Sequence, residues 1–266
     1  MGVYVVTGGT RGIGASAADI LEQKGHTVVR SASKKSDLDA DLGTKEGRAQ
    51  LIDGVHRLFP EGIDGLISNA GIASTRPISR VISVNYFGAV AVMQGLFDLL
   101  QKKNGRVCCV TSASLAYDMR DGDKSKFYVD NLLVNCEDEE RIGKLVDTFD
   151  PVEVDNAIYG STKIALARWI KRTAPGWAVK GVRLNGLAPG ATATSIMDGV
   201  EDMGEDLDVI FAFPIPMYYG RKHFLVPEEV GKAVAYMVSE DIGGICGETL
   251  YCDGGCAAVL HADKYF

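Results

Sequence analysis

Val3-Tyr4-Val5-Val6-Thr7-Gly8-Gly9-Thr10-Arg11-Gly12-Ile13-Gly14 opens the chain and decides its fold. Val3 to Val6 is an apolar, β-branched run, suited to a strand buried on both faces of a parallel sheet. It passes straight into a glycine-rich turn, after which residues 15–24 read as a helix ended by Gly25. Strand, glycine turn and helix form the unit that cradles a dinucleotide pyrophosphate. Glycine allows a tight turn and close backbone approach, and the helix N-terminus offers unpaired N–H groups with a partial positive charge. The spacing here is TGxxxGxG, which differs from the general GxGxxG fingerprint.

A second stretch supplies chemistry. In Tyr159-Gly-Ser-Thr-Lys163 the tyrosine and lysine are four residues apart, so on a helix they share one face. A free phenol titrates at about pH 10 and is a poor acid or base at neutral pH. A neighbouring ammonium favours the phenolate and brings it toward useful acid–base range.

With these motifs the chain resembles the short-chain dehydrogenase/reductase family, nearly end to end. Thr7 to Gly14 match the cofactor turn, and Asn69-Ala70-Gly71 match the NAG motif after the strand Gly65-Leu66-Ile67-Ser68. Val84-Asn85 match the helix asparagine, and Gly105-Arg106-Val107-Cys108-Cys109-Val110-Thr111-Ser112 places Ser112 at the serine position on the fifth strand. Tyr159 and Lys163 match YxxxK, Pro189-Gly190 with Thr194 match PGxxxT, and Asp253-Gly254-Gly255 close the last strand. Within the family the chain is most similar to the bacterial 3α-hydroxysteroid dehydrogenase/carbonyl reductase branch. Three features carry that likeness: the short spacing from Gly71 to Asn85, the long stretch between Ser112 and Tyr159, and the segments around Glu46-Gly47-Arg48 and Gly181 to Thr192.

The resemblance implies a Rossmann-type, doubly wound α/β fold: a mostly parallel, seven-stranded sheet with helices on both faces, residues 1–266 forming one domain. It implies a catalytic tetrad of Asn85, Ser112, Tyr159 and Lys163. Tyr159 would exchange the proton with the substrate oxygen, and Lys163 would lower its pKa and hold the nicotinamide ribose. Ser112 would bind the substrate oxygen, and Asn85 would hold a relay water. The implied cofactor contacts are Thr7, Gly8, Thr10, Arg11, Gly12, Ile13, Gly14, Ser33, Lys34, Asp41, Leu42, Asn69, Ala70, Gly71, Tyr159, Lys163, Pro189, Gly190, Thr192 and Thr194. Asp41-Leu42 is read as an adenine-edge contact.

Cofactor choice is read at the end of the second strand, expected over residues 26–32. An NAD site wants an acid there for the ribose 2′-hydroxyl. Ala32, Ser33, Lys34 and Lys35 stand there instead, and Arg11 lies in the glycine turn. Donors and positive charge suit a 2′-phosphate, so NADP(H) is the expected cofactor, with Asp37, Asp39 and Asp41 close behind.

Residues 117–157 form an acidic insertion, in which twelve acidic side chains face five basic ones, an excess as large as the net charge of −7 of all 266 residues. Ile142, Leu145, Val146 and Phe149 recur at helical spacing, so residues 138–148 are expected to be amphipathic. The insertion reads either as a solvated excursion or as a cover over helices that relatives use for assembly. Its charge disfavours nucleic acid and acidic carrier proteins.

Residues 194–226 are the expected substrate lid. Ile196, Met197, Phe211, Phe213 and Met217, with Ser114, are the expected substrate contacts, and their apolar bulk suits a hydroxysteroid or bile acid. The alternatives are a 3-oxoacyl-thioester or small-carbonyl reductase and, from another class, a non-catalytic NADP-binding sensor. Cys108, Cys109, Cys136, Cys246, Cys252 and Cys256 make no metal pattern. No segment approaches the ~20 apolar residues of a membrane span, so a cytoplasmic protein is expected. The fold that the resemblance implies leads to the expectation of a homodimer or homotetramer, with a small hydrophobic molecule as its partner.

Overall fold

The computed structural model describes residues 1–73, 77–117, 133, 138–195 and 224–263. In chain order it runs β1 (Val3–Thr7), α1 (Gly12–Gln23), β2 (Thr27–Ala32), β3 (Leu38–Asp39), α2 (Lys45–Leu58) and β4 (Gly65–Ser68). Then come α3 (Ser79–Ile82), a π-helical turn over Ser83–Gly88, α4 (Ala89–Gly95), α5 (Phe97–Lys102), β5 (Arg106–Val110) and a 3-10 turn over Ala113–Tyr117. The inserted helix α6 (Glu139–Val146) leads to the long α7 (Pro151–Ala178), β6 (Arg183–Pro189), α8 (Pro227–Met237), β7 (Thr249–Cys252) and α9 (Cys256–Leu260).

The strands make one seven-stranded sheet in the order β3-β2-β1-β4-β5-β6-β7. Every neighbouring pair is parallel. The order reverses between β1 and β4, and the crevice at the carboxyl ends of strands at such a reversal is where ligands bind in open α/β sheets. Thr7 at the end of β1 pairs with Ser68 at the end of β4, which places the glycine turn beside Asn69-Ala70-Gly71.

Alternation along the strands builds two cores. Val5, Leu66, Val107, Cys109 and Leu184 face one layer of helices, while Tyr4, Val6, Ile67, Cys108 and Leu187 face the other. The adjacent Cys108 and Cys109 therefore part to opposite faces, as the strand pattern required. Burial pushes the Cys109 thiol up to about 11 and raises Cys108 further, so neither is a thiolate at neutral pH.

Three boundaries differ from those read in the sequence. α1 starts at Gly12, inside the glycine turn, because the turn itself supplies the first helical residues. β2 starts at Thr27, since the His26 ring turns aside to accept the Gly2 N–H at 3.0 Å. The inserted helix is Glu139–Val146, capped by the Asp138 carboxylate, which accepts the Arg141 N–H at 2.9 Å. Its apolar stripe is narrower than expected: Ile142 and Val146 are buried, whereas Leu145 is 40% exposed. The inserted helix is thus docked on the core through one face.

Candidate active site

The glycine turn is shaped for close packing. Gly8 has φ +64°, a left-handed conformation that favours glycine. A methyl group on Gly14 would fall 2.3 Å from the Gly8 carbonyl oxygen and 2.5 Å from Asn69 Nδ2, so no larger residue fits. The Asn69 side-chain amide donates to the Gly8 carbonyl at 3.2 Å, and the Thr7 hydroxyl oxygen accepts the N–H groups of Asn69 and Ala70 at 3.0 and 3.1 Å. No side chain caps α1, and its first turn holds no acid. Its leading N–H groups thus form an anion-binding terminus. Thr10 and Arg11 are exposed at this mouth, while Ile13 packs inward. Thr194 closes in from the far side, 3.2 Å from where a methyl on Gly12 would stand. This uncapped, glycine-tight cradle fits a dinucleotide pyrophosphate.

Ser33 and Lys34 are exposed beyond the end of β2. The acids that follow are engaged within their own loop. Asp37 accepts the Arg30 N–H at 2.8 Å, and Asp39 accepts both the N–H and the hydroxyl of Ser36 at 2.8 Å. Those Ser36 bonds hold the Asp39 carboxyl below its ordinary range. Arg30 is paired with Asp19 and Glu22 at 2.6 and 2.7 Å, whereas no ion pair among the described residues engages Arg11, Lys34 or Lys35. Asp41 is gripped by Arg80 at 2.8 and 3.0 Å, and this pairing holds it below the usual carboxylate range. Leu42 beside it is buried.

The residues expected to be catalytic meet where Lys163 of α7 reaches the carboxyl end of β5. Lys163, 4% exposed, donates from Nζ to the Val110 carbonyl at 3.1 Å, two residues before Ser112. The same Nζ lies 5.6 Å from the centre of the Tyr159 ring. Asn85, 1% exposed, sits in the π turn, a distortion frequent at functional sites. Its Oδ1 accepts the Ile72 N–H and its Nδ2 donates to the Ile72 carbonyl, both at 2.9 Å. A methyl on Gly71 would stand 3.4 Å from Asn85 Oδ1 and 3.5 Å from Lys163 Nζ, so these three residues are neighbours.

Ser112 Oγ accepts the Ser114 N–H at 3.1 Å, which leaves its own hydroxyl proton to donate elsewhere. Ser114 Oγ is buried without a hydrogen-bond partner among the described residues. Pro189 ends β6 on the far side of this crevice; the Gly190 N–H reaches the Cys252 carbonyl, and the Thr192 hydroxyl donates to the Gly190 carbonyl at 2.9 Å. The His261 ring bonds the Ala116 carbonyl at 2.7 Å, tying the C-terminal segment to the serine turn. Sequence motifs missed His261, Arg80 and Ile72, because none carries a local signature, and marked Arg48 only as part of Glu46-Gly47-Arg48. Ile196, Met197, Phe211, Phe213 and Met217 lie outside the described residues.

No group of His, Cys, Asp and Glu that could hold a metal occurs among the described residues, nor does a helix long and apolar enough to cross a membrane.

Comparison with known proteins places this geometry. Residues 2–121 match the family model described as short chain dehydrogenase, and residues 150–257 match that described as Enoyl-(Acyl carrier protein) reductase. The 3-alpha-hydroxysteroid dehydrogenase/carbonyl reductase of Comamonas testosteroni is 32% identical over 273 residues, spanning all of both chains. The 3-oxoacyl-(acyl-carrier-protein) reductase FabG of Haemophilus influenzae is 26% identical, covering 95% of this chain and 97% of that one. Among solved structures, the 3-alpha-hydroxysteroid dehydrogenase of Pseudomonas sp. B-0831 complexed with NADH superposes with a TM-score of 0.86 at 28% identity, covering 99% of this chain and 100% of the other.

Proposed function

Because this chain belongs to the short-chain dehydrogenase/reductase family and is an oxidoreductase of alcohol and carbonyl groups, we propose that it interconverts a secondary alcohol and a ketone on a bulky hydrophobic substrate, a hydroxysteroid or bile acid, with NADP(H). The observation that carries this reading is the convergence of Lys163, Tyr159 and Asn85 at the end of the strand leading to Ser112.

The Gly8–Gly14 cradle, Asn69-Ala70-Gly71 and the Pro189–Thr194 segment would hold a nicotinamide cofactor, which would supply or accept the hydride. The protein's own part is orientation and proton handling. In reduction Tyr159 gives its phenolic proton to the carbonyl oxygen as that oxygen gains negative charge, and in oxidation it takes the proton back. Lys163, anchored to the Val110 carbonyl, holds its Nζ 5.6 Å from the centre of the phenol ring. Ser112, its lone pair already accepting the Ser114 N–H, donates its proton to the substrate oxygen. The Ser114 hydroxyl, with no hydrogen-bond partner among the described residues, is a second donor toward the same oxygen or a neighbouring one. Both polar groups of the Asn85 side chain hold the Ile72 peptide, so its part in a water relay falls to its main-chain carbonyl.

The NADP(H) choice is supported by the acid-free end of β2, by the engaged state of Asp37 and Asp39, and by Arg11, Lys34 and Lys35, which have no ion pair among the described residues. The NADH complex of the Pseudomonas relative favours NAD as the second reading. The steroid class is supported by the Comamonas and Pseudomonas relatives, and the 26% identical reductase favours a 3-oxoacyl thioester as its alternative. A homodimer or homotetramer is supported by β7, an edge strand exposing Leu250 and Tyr251, with Tyr236 of α8 also exposed. Regioselective turnover of hydroxysteroids with NADP⁺, set against NAD⁺ and simple ketones, tests substrate class and cofactor together.

A further inference from the structure

Arg48 of α2 is only 6% exposed, and three separate elements share its guanidinium. Nε donates to the Leu42 carbonyl at 2.7 Å, and Nη2 donates to the Ser83 carbonyl at 2.8 Å. Nη1 and Nη2 together grip the Glu139 carboxylate at 2.6 and 2.7 Å, across 91 residues of sequence. A nearly buried cation is tolerable only when its donors are satisfied in this manner.

The three partners are not scattered. Leu42 stands beside Asp41 on the loop assigned to the adenine edge of the cofactor. Ser83 opens the π turn that carries Asn85, and Glu139 begins the inserted helix. A methyl on Gly88, at the end of the π turn, would meet the Leu42 carbonyl oxygen at 2.6 Å, so turn and loop are in direct backbone contact. Arg80 of α3 holds Asp41 from the same side.

The far end of the inserted helix is fastened too. Asp147 Oδ1 accepts the Ser79 N–H at 2.9 Å, and a methyl on Gly143 would lie 3.3 Å from Ser79 Cβ. Between these ends Ile142 and Val146 are buried in the core that lies under α3. Burial opposes ionisation of Glu139, yet the hydrogen bonds from Arg48 and Ser83 prevail and its carboxyl lies below the ordinary range.

We infer that Arg48 and Glu139 are positioning residues for Asn85, and that the inserted helix is a strap fixing the Asn85 turn to the adenine-side loop. The path is short: Arg48 fixes the Ser83 carbonyl, the π turn fixes Asn85, and Asn85 clamps the Ile72 peptide next to Gly71 and Lys163. The inserted helix is therefore part of the active-site scaffold, whatever its effect on assembly. Its link to turnover rests on the function proposed above, whereas the strap itself does not.

The test uses the full chain with Glu139→Gln, Arg48→Met and the apolar double variant Arg48→Met/Glu139→Leu. The double variant removes both charges, a change that often leaves stability intact. Amide exchange is followed by mass spectrometry, NADPH binding by fluorescence, and turnover with phenanthrenequinone as the carbonyl probe. Breaking the pair in Glu139→Gln should speed exchange over residues 79–88 by about tenfold or more while the strand peptides 65–68 and 106–110 hold. In the same variant kcat should fall by about tenfold with KM for the quinone nearly unchanged. The double variant should recover the melting temperature without recovering kcat, because the Ser83 and Leu42 carbonyls still lack their donor. Unchanged exchange over 79–88 once the pair is broken, or kcat that recovers along with melting temperature, would overturn the inference. A wild-type enzyme silent on the quinone would count against the proposed activity alone, and the exchange result would still decide the strap.

Discussion

Lys163 Nζ donates to the Val110 carbonyl at 3.1 Å while lying 5.6 Å from the centre of the Tyr159 ring. One buried ammonium thereby joins the strand that leads to Ser112 with the helix face that carries the phenol. Its position is fixed by backbone rather than by another side chain, so its charge stays beside Tyr159 whichever substrate enters. A fixed charge costs no reorganisation when the phenol ionises, which is where electrostatic catalysis gains most.

Removing either partner should therefore abolish turnover by different routes. Tyr159→Phe should lower kcat by about 10³-fold or more while NADPH binding stays within about threefold of wild type. Lys163→Met should lower kcat similarly and also weaken NADPH binding, since the ammonium faces the Gly71 edge of the crevice. Fluorescence titration beside steady-state kinetics checks both. Retained turnover in Tyr159→Phe would remove the phenol from its assigned role.

The glycine turn makes a steric prediction. In Gly14→Ala the new methyl would stand 2.3 Å from the Gly8 carbonyl, a contact only backbone movement can relieve. Overpacking of this kind costs about 1–3 kcal/mol, and here the displaced atoms are those that would face the pyrophosphate. NADPH affinity should fall by about tenfold or more, alongside a lower melting temperature.

Cofactor preference is testable at one atom group. Ala32 is the last residue of β2 and its side chain is half-buried at the strand end. Ala32→Asp would place a carboxylate there to accept from a ribose 2′-hydroxyl and repel a 2′-phosphate. The ratio of kcat/KM for NADP⁺ to that for NAD⁺ should shift by about tenfold or more toward NAD⁺. No shift would mean that the strand register assigned to cofactor recognition is wrong.

Much of this site was legible because its parts are local. Strand, glycine turn and helix are contiguous, and Tyr159 and Lys163 are one helical turn apart. The convergence of Asn85, Gly71 and Lys163 required only the order of parallel strands. What stayed hidden was long-range or geometric. The Arg48–Glu139 pair spans 91 residues, and the sequence marks Arg48 only as part of a Glu-Gly-Arg segment. The π turn at Ser83–Gly88 spans six residues, too short for a period to be read from it. Leu145 fits the helical stripe by spacing yet faces outward, because the inserted helix meets the core along a narrower line.

Acid should loosen the inserted helix. The Glu139 carboxyl is depressed in the folded chain, so its contribution is present above its unfolded value of about 4.3 and is lost as pH falls through the lower folded value. The difference in melting temperature between wild type and Glu139→Gln should be largest at about pH 6 and shrink toward about pH 3. A gap that stayed constant across that range would mean the carboxylate adds nothing through its charge.

The exposed edge of β7 predicts self-association. Tyr251→Glu places a charge on an apolar edge that shows Leu250 and Tyr251 at 40% and 44% exposure. Sedimentation velocity should find the wild type dimeric or tetrameric and the variant shifted to a smaller species. An assembly indifferent to the charge would place the contact elsewhere.

The central claim is an NADP(H)-dependent alcohol–ketone interconversion on a bulky hydrophobic substrate through Tyr159. Its most direct test follows the absorbance of reduced nicotinamide with NADP⁺ and, separately, NAD⁺ against hydroxysteroids and bile acids hydroxylated at different ring positions, with Tyr159→Phe as control. The account predicts NADP⁺ reduction confined to one hydroxyl position and lost in Tyr159→Phe. Silence across the panel while NADPH still binds tightly would contradict it.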